Sequence, residues 1–265
     1  MDIIDAHNHI WPKKVVYKAK DYLENILNHK MVVLPIADNL LRYMDEAEIS
    51  KSIISSVASH PYQVISINNW LFSIKNERFI PFASIHPFFC GLREELKRIK
   101  DNAFGIKLQP EFQKFYVDDE RAFDLYEELE RLKIPVLLHC GIELSSPGEV
   151  RSSPERIIKV LEKFPSLKVI GAHMGGFLMW KEVLGKLAGK NLYFDTSDSI
   201  RVMKRDLLEK FFEKHGFDKI IYGSDFPFAK QKEEIDFIKS LSISEENKQK
   251  ILFFNVKNLL KICSH

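Results

Sequence analysis

Residues 1–9 read Met1-Asp2-Ile3-Ile4-Asp5-Ala6-His7-Asn8-His9. A short apolar run from Ile3 gives way to polar residues that include two imidazoles. The run is too short for a helix and reads as a strand over Ile3 to His7. Runs of the same character recur at Ser52 to Val57, Ile80 to Ile85, Phe104 to Leu108, Pro135 to His139, Lys168 to His173, Leu192 to Asp195 and Lys219 to Ser224. Between most of them lie stretches with the helical i, i+3, i+4 period, such as Ala122 to Leu132 and Pro154 to Phe164. Ser153-Pro154-Glu155 marks a helix start, with a capping oxygen, a pre-set φ and an early acid. Strands alternating with helices imply right-handed βαβ units and a parallel sheet. Eight such units predict an α/β fold of the (β/α)8 TIM-barrel type, with residues 1–265 as a single domain.

Two stretches depart from the repeat. Ile10 to Ile49 is too long for one crossover helix and predicts a helical insertion or lid between strands one and two. Glu245 to Ile262 reads as one long amphipathic helix that closes the ring.

A chain of 265 residues fits one barrel, since these folds run to about 250 residues. Hydrophobic residues make up 45% and charged residues 29%, as in globular proteins with a sizeable core. The net charge is +2, with lysine and arginine dispersed, so no basic stripe points to nucleic acid. No basic leader with an apolar core opens the chain, and no apolar stretch is long enough to cross a bilayer. Cys90, Cys140 and Cys263 are few and irregularly spaced, which suits a reducing compartment and a cytoplasmic location.

Active sites of barrel enzymes lie at the C-terminal ends of the strands. Six of the nine histidines, His7, His9, His60, His86, His139 and His173, fall at or just after such an end. His7 and His9 are two apart on one strand, so both project the same way and can chelate one metal. Taken alone, the pair reads equally as polar residues of a surface turn. His139, His173 and Asp225 end strands five, six and eight; singly, each would serve as a satisfied core histidine or a helix cap. Together, imidazoles plus one carboxylate are the donor set of catalytic zinc. Gly105, Gly171 and Gly223 stand two residues before Lys107, His173 and Asp225. They would clear space beneath a polar layer, or simply serve packing. Cys140 points away from His139 and reads as buried packing. Trp11, Phe88, Phe89, Phe112, Phe226 and Phe228 lie near strand ends, where they line a pocket or pack between loops.

These residues resemble the amidohydrolase superfamily, and within it the amidohydrolase-2 group that includes aminocarboxymuconate-semialdehyde decarboxylase. The resemblance rests on Ile4-Asp5-Ala6-His7-Asn8-His9, Met44-Asp45-Glu46-Ala47, Gly105-Ile106-Lys107-Leu108, Leu138-His139-Cys140-Gly141, Gly171-Ala172-His173-Met174-Gly175-Gly176 and Tyr222-Gly223-Ser224-Asp225-Phe226-Pro227. They span nearly the whole chain in order. The resemblance implies His7, His9, His139 and Asp225 as metal ligands. It implies His173 as an acid–base or carbonyl-polarising group, or as part of a second metal site. Lys107 would be a carboxylated bridge between two metals, or a cation for a substrate carboxylate. One divalent ion is expected rather than two, zinc first and manganese as the alternative. The pattern departs at Gln109, where members carrying the strand-four motif often have histidine.

The expected function is metal-assisted hydrolysis of a small molecule, with an amide, lactone or ester-like bond cut by metal-activated water. Asp225 would take the water's proton and His173 would polarise the carbonyl. The alternative on the same site is non-oxidative decarboxylation of a small carboxylic acid. A metal-binding sensor does not need the Asp225 and His173 pair. Nucleases of this fold tend to carry glutamate where Lys107 stands.

Overall fold

The computed structural model describes residues 2–262, which leaves Cys263 outside the described part. Eight parallel strands follow one another around the sheet in chain order: β1 Ile4–Asp5, β2 Lys51–Ser55, β3 Phe79–Ser84, β4 Gly105–Leu108, β5 Val136–Leu138, β6 Val169–Gly171, β7 Tyr193–Asp195 and β8 Ile220–Ile221. Every expected strand is present, several trimmed at their ends. β8 meets β1 through the Ala6 N–H donated to the Tyr222 carbonyl at 2.8 Å and a parallel bridge between Asn8 and Phe226. The arrangement is a (β/α)8 TIM barrel.

The insertion after β1 holds two helices, α1 Val16–Leu27 and α2 Ala37–Glu46. α2 is the crossover to β2, and α1 is the extra element. The later crossovers carry α3 Val64–Ser73, α4 Leu92–Ile99, a single turn α5 Pro110–Gln113, α6 Phe123–Leu132, α7 Pro154–Lys163, α8 Trp180–Lys186 and α9 Arg205–His215. After β8 come α10 Gln231–Ser240, α11 Glu245–Gln249 and α12 Asn255–Leu260. No helix among the described residues is long and apolar enough to cross a membrane.

The C-terminal segment corrects one expectation. It is not a uniform α-helix, because Lys250–Phe254 between α11 and α12 is π-helical. The cause is local. The Ile251 carbonyl accepts the Tyr222 N–H at 2.8 Å, so it is drawn out of the helical ladder towards the barrel wall.

Apolar residues form two layers. Ile4, Ile53, Phe82, Leu137, Ile170 and Ile221 fill the barrel and pack on Val256 and Leu259 of α12, which stoppers the bottom. The larger cluster, with Ile54, Ile106, Leu108, Val169 and Phe194, lies between strands and helices. With the bottom plugged by side chains, the open end is the C-terminal one.

The three glycines differ in role. A Cβ on Gly223 would meet the His7 Cβ at 3.0 Å and Asp195 at 3.3 Å, so this glycine does clear room for the polar layer. Gly105 yields its space to the Phe82 ring. Gly171 does not share a face with His173. It sits by Cys140 and Leu192, while Ile170 and Ala172 face the interior, and positive φ at His173 and Met174 breaks the alternation.

Candidate active site

His7 leaves β1 with its two ring nitrogens in different company. Nδ1 stands 3.0 Å from Asp195 Oδ2 and 3.1 Å from Ser197 Oγ, both from the end of β7. A carboxylate on Nδ1 leaves Nε2 as the lone-pair side, the usual support for a metal-bound histidine. That Nε2 lies 3.2 Å from His9 Nε2 and 3.4 Å from Asp225 Oδ1, and His9 Nε2 is 3.3 Å from the same oxygen. His9 Nδ1 is backed by Ser55 Oγ at 3.3 Å.

These three separations test the fit to a metal. Donors at about 2.1 Å from a tetrahedral ion lie about 3.4 Å apart. Asp225 Oδ1 is buried without a hydrogen-bond partner, a costly state that a cation would relieve. His7, His9 and Asp225 therefore fit one divalent ion.

His139, the fourth expected ligand, is not in that tight group. Its Nδ1 lies 3.2 Å from His173 Nε2, and its Nε2 is buried without a partner, 3.8 Å from Glu143 Oε2. His173 takes Ser197 at Nδ1, with the carbonyl at 3.2 Å and Oγ at 3.1 Å. His173, Asp198 and Asp225 make a second group of converging donors that shares Asp225 with the first. Lys107 enters the same layer, almost fully buried, with Nζ 2.9 Å from His7 Nε2.

Backbone strain marks the same place. His173 (φ 58°), Asp198 (φ 47°) and Asp225 (φ 60°) are all left-handed. Non-glycine residues hold that region at a cost on the order of 1 kcal/mol or more each. Hydrogen bonds hold two of them: Trp180 Nε1 donates to the His173 carbonyl at 3.1 Å, and the Asp225 N–H donates to the His7 carbonyl at 2.9 Å. Beneath the layer, Asp5 ties β1 to β8 by accepting from Ser224 N–H at 3.0 Å, Ser224 Oγ at 2.6 Å and Gln231 Nε2 at 2.7 Å.

Burial dominates the electrostatics. It lowers His9 to about 4, His173 below its usual value and His139 well below it. Those imidazoles are neutral at neutral pH, as metal ligation requires. Burial works to raise Asp225, but His7 and His9 outweigh it and hold the carboxyl well below the usual range. Burial, then the neighbouring Asp225, push Asp198 well up. Burial raises Glu143 to about 7 and lowers Lys107.

All of this opens on one cavity of about 960 Å³, near the upper end for small-molecule sites. His7, His9, His139, His173, Lys107 and Asp225 all line it, as does His60. His86 does not; its Nδ1 accepts the Phe88 N–H at 3.2 Å. Of the six aromatics considered from the sequence, Trp11, Phe112 and Phe228 line the cavity, while Phe226 is core. α1 adds Tyr22, Leu23 and Leu27 to the wall. Cys140 is buried packing, with its Sγ donating to the Leu138 carbonyl at 3.2 Å.

Asp195, Ser197, Asp198 and Glu143 were not among the sequence candidates for the site. Asp195 ends a strand as Asp225 does, and that position was its one available signal. Asp198 and Glu143 lie in loops, where spacing carries no face information.

Comparison with known proteins bears on the family and the fold. The family model described as amidohydrolase matches residues 4–260. The gamma-resorcylate decarboxylase of Polaromonas sp. (strain JS666) is 25% identical over 187 residues, which cover 56% of this chain and 56% of that protein. The aligned part thus spans about half the length of that curated relative. Among solved structures, 5-carboxyvanillate decarboxylase LigW from Sphingomonas paucimobilis superposes with a TM-score of 0.75 at 14% identity, covering 99% of each chain. A dihydroxybenzoic acid decarboxylase from Polaromonas sp. JS666, with bound manganese and the inhibitor 2-nitroresorcinol, gives 0.73 at 19% identity, over 98% of this chain and 97% of that one. The curated relative corrects the expectation of hydrolysis: it is a decarboxylase, which favours the reaction weighed above as its alternative. Metal-ligand residue types alone do not distinguish attack by water from loss of carbon dioxide, which is why the sequence reading chose the wrong one. The family model covers nearly the whole barrel and the site motifs lie within it, so this chain belongs to the amidohydrolase-2 family of metal-dependent enzymes.

Proposed function

We propose that this protein is a metal-dependent, non-oxidative decarboxylase of a small aromatic carboxylic acid, built on one barrel domain. The observation that carries the reading is the convergence of His7, His9 and Asp225 on one point beside the buried Lys107 side chain, in a cavity with aromatic walls. Similarity to a gamma-resorcylate decarboxylase supports the reaction class.

His7, His9 and Asp225 would hold one divalent ion, with His139 as a further donor. A set of imidazoles with one carboxylate suits zinc and manganese alike. When bound, the ion supplies a Lewis acid that binds and polarises the substrate. Lys107 offers a charge-assisted hydrogen bond to the substrate carboxylate. Trp11, Phe112 and Phe228 hold the ring and keep water away from it. Asp225 and His173 would handle the proton at the ring carbon, with Asp198 converging on the same point. The carbon gains that proton, its bond to the carboxylate breaks with the electron pair returning to the ring, and carbon dioxide leaves. No oxidant or reductant is consumed. Cys90 and Cys140 are free thiols, which supports a reducing, cytoplasmic setting.

The test is incubation of the manganese- or zinc-loaded protein with 2,6-dihydroxybenzoate and 5-carboxyvanillate in deuterated water. Carbon dioxide should appear in step with an arene carrying one deuterium at the vacated carbon. Absence of carbon dioxide across a hydroxybenzoate panel, from folded and metal-loaded protein, would overturn the proposal.

A further inference from the structure

Gln109 follows the last residue of β4, two residues after Lys107, and both side chains line the same cavity. Its backbone is held firmly. The Gln109 N–H donates to Gln113 Oε1 at 2.9 Å, and Gln113 Nε2 donates to the Ala58 carbonyl at 3.1 Å and the Ile85 carbonyl at 2.8 Å. In the cavity wall, Gln109 Nε2 donates to Glu143 Oε2 at 2.8 Å, and Glu143 Oε1 takes the Ser145 N–H at 3.4 Å. Gln109 Oε1 has no partner, although the residue is only 7% exposed and Glu143 only 6%.

The one buried atom this pair leaves without a partner is an acceptor, Gln109 Oε1. An amide oxygen and the spare lone pairs of a carboxylate accept hydrogen bonds and cannot donate them. The carboxylate also fixes the amide, because Gln109 must turn its NH2 towards Glu143 and its oxygen the other way. A buried acceptor left unpaired is costly, and a partner of opposite type removes that cost.

We infer that Gln109 and Glu143 form the subsite for a hydrogen-bond donor on the substrate, a ring hydroxyl in the aromatic acid proposed above, on which this inference rests. A methoxy group at the same ring position cannot donate and sets its oxygen against acceptors. A site built for a hydroxyl rejects such analogues strongly. An acceptor on the hydroxyl proton also pushes electron density into the ring, which favours protonation at carbon. The pair would thus serve selection and reaction together.

The experiment titrates the manganese-loaded protein by calorimetry with matched 2-hydroxybenzoates, each bearing a second hydroxyl or a methoxy group at one of the remaining ring positions. For at least one position the hydroxyl compound should bind about tenfold tighter or better. Gln109→Leu and Glu143→Gln should each bring that ratio close to one. Glu143→Gln is the milder change: two facing amides pair in either orientation, so the subsite can then offer a donor. Circular dichroism and metal content report whether each variant is folded and loaded. A wild type with no preference at any position, or folded variants that keep the wild-type ratio, would overturn the subsite. Carbon dioxide release is scored in parallel. Turnover with an unchanged ratio removes the subsite and leaves the decarboxylase reading standing. A preference lost in both variants, with no turnover of any compound, removes the reaction and keeps the subsite.

Discussion

Lys107 Nζ lies 2.9 Å from His7 Nε2, the ring nitrogen opposite the one that faces the Asp195 carboxylate. Burial lowers the Lys107 pKa, with Asp225 and Asp195 opposing it. We expect a free ammonium that meets the substrate carboxylate, and one metal per chain. Lys107→Ala should then keep one equivalent of metal and raise KM about tenfold or more, as loss of a charged hydrogen bond of about 1.5–3 kcal/mol implies. Two equivalents by metal analysis, with a carbamate mass on Lys107, would show the bridging role instead.

His7→Ala with His9→Ala removes two of the three converging donors and should strip the metal while the barrel stays folded. The fold should survive because the strands close through backbone bonds such as Ala6 to Tyr222. Metal analysis and circular dichroism on the double variant decide it. Full occupancy would contradict the ligand assignment.

Asp225→Asn should abolish turnover, since an amide is a poorer ligand and carries no titratable proton. His173→Ala should lower kcat by about a hundredfold or more and leave most of the metal in place, the size expected for a general acid–base group. Parallel loss of metal and activity in His173→Ala would make that histidine a ligand.

Asp195 is not among the cavity-lining residues; it contacts His7 Nδ1 and accepts the His173 and Ser197 N–H groups, which would orient both histidines. Asp195→Asn should weaken metal affinity by about 10–100-fold, the usual effect of removing a carboxylate behind a ligating histidine. Competition with a chelator measures it. An unchanged affinity would mean that packing alone holds the His7 ring.

His215 lies away from the site. Its ring packs 4.3 Å from Phe194, and its Nδ1 accepts the Gly189 N–H at 3.0 Å. Burial lowers its pKa to about 4. An unfolded histidine titrates near 6.5, so as pH falls below about 6.5 the unfolded chain gains a proton that the folded one refuses. The stabilisation is complete above that pH and is lost as pH falls through about 4, by no more than about 3 kcal/mol. His215→Leu should be less stable at pH 7 yet lose less stability between pH 7 and 4.5 in urea titrations. An unchanged pH slope would refute this.

Much of the barrel was legible in the chain, because a strand's identity is local. Val136–Leu138 or Phe79–Ser84 carries its apolar pattern within a few residues, and eight such runs leave few ways to close a sheet. The site was legible at Lys107, where strand alternation gives the side chain's direction, and at His7 and His9, which lie two apart and both reach the cavity. Alternation failed at His173, whose left-handed backbone turns the ring to a face that Gly171 does not share. It was silent at Asp198 and Glu143, which reach the cavity from loops. The π-helical turn at Lys250–Phe254 was also invisible, because it exists through a bond between Ile251 and Tyr222, far apart in sequence. Sequence alone determined the eight strands, their order and the residue types gathered at their ends. The tertiary structure decided which atoms meet: Nε2 rather than Nδ1 of His7 facing His9 and Asp225, His139 set against His173, and Gln109 paired with Glu143. Such pairings depend on distances across the barrel mouth, which are set by the closure of all eight strands together and by no single stretch of chain.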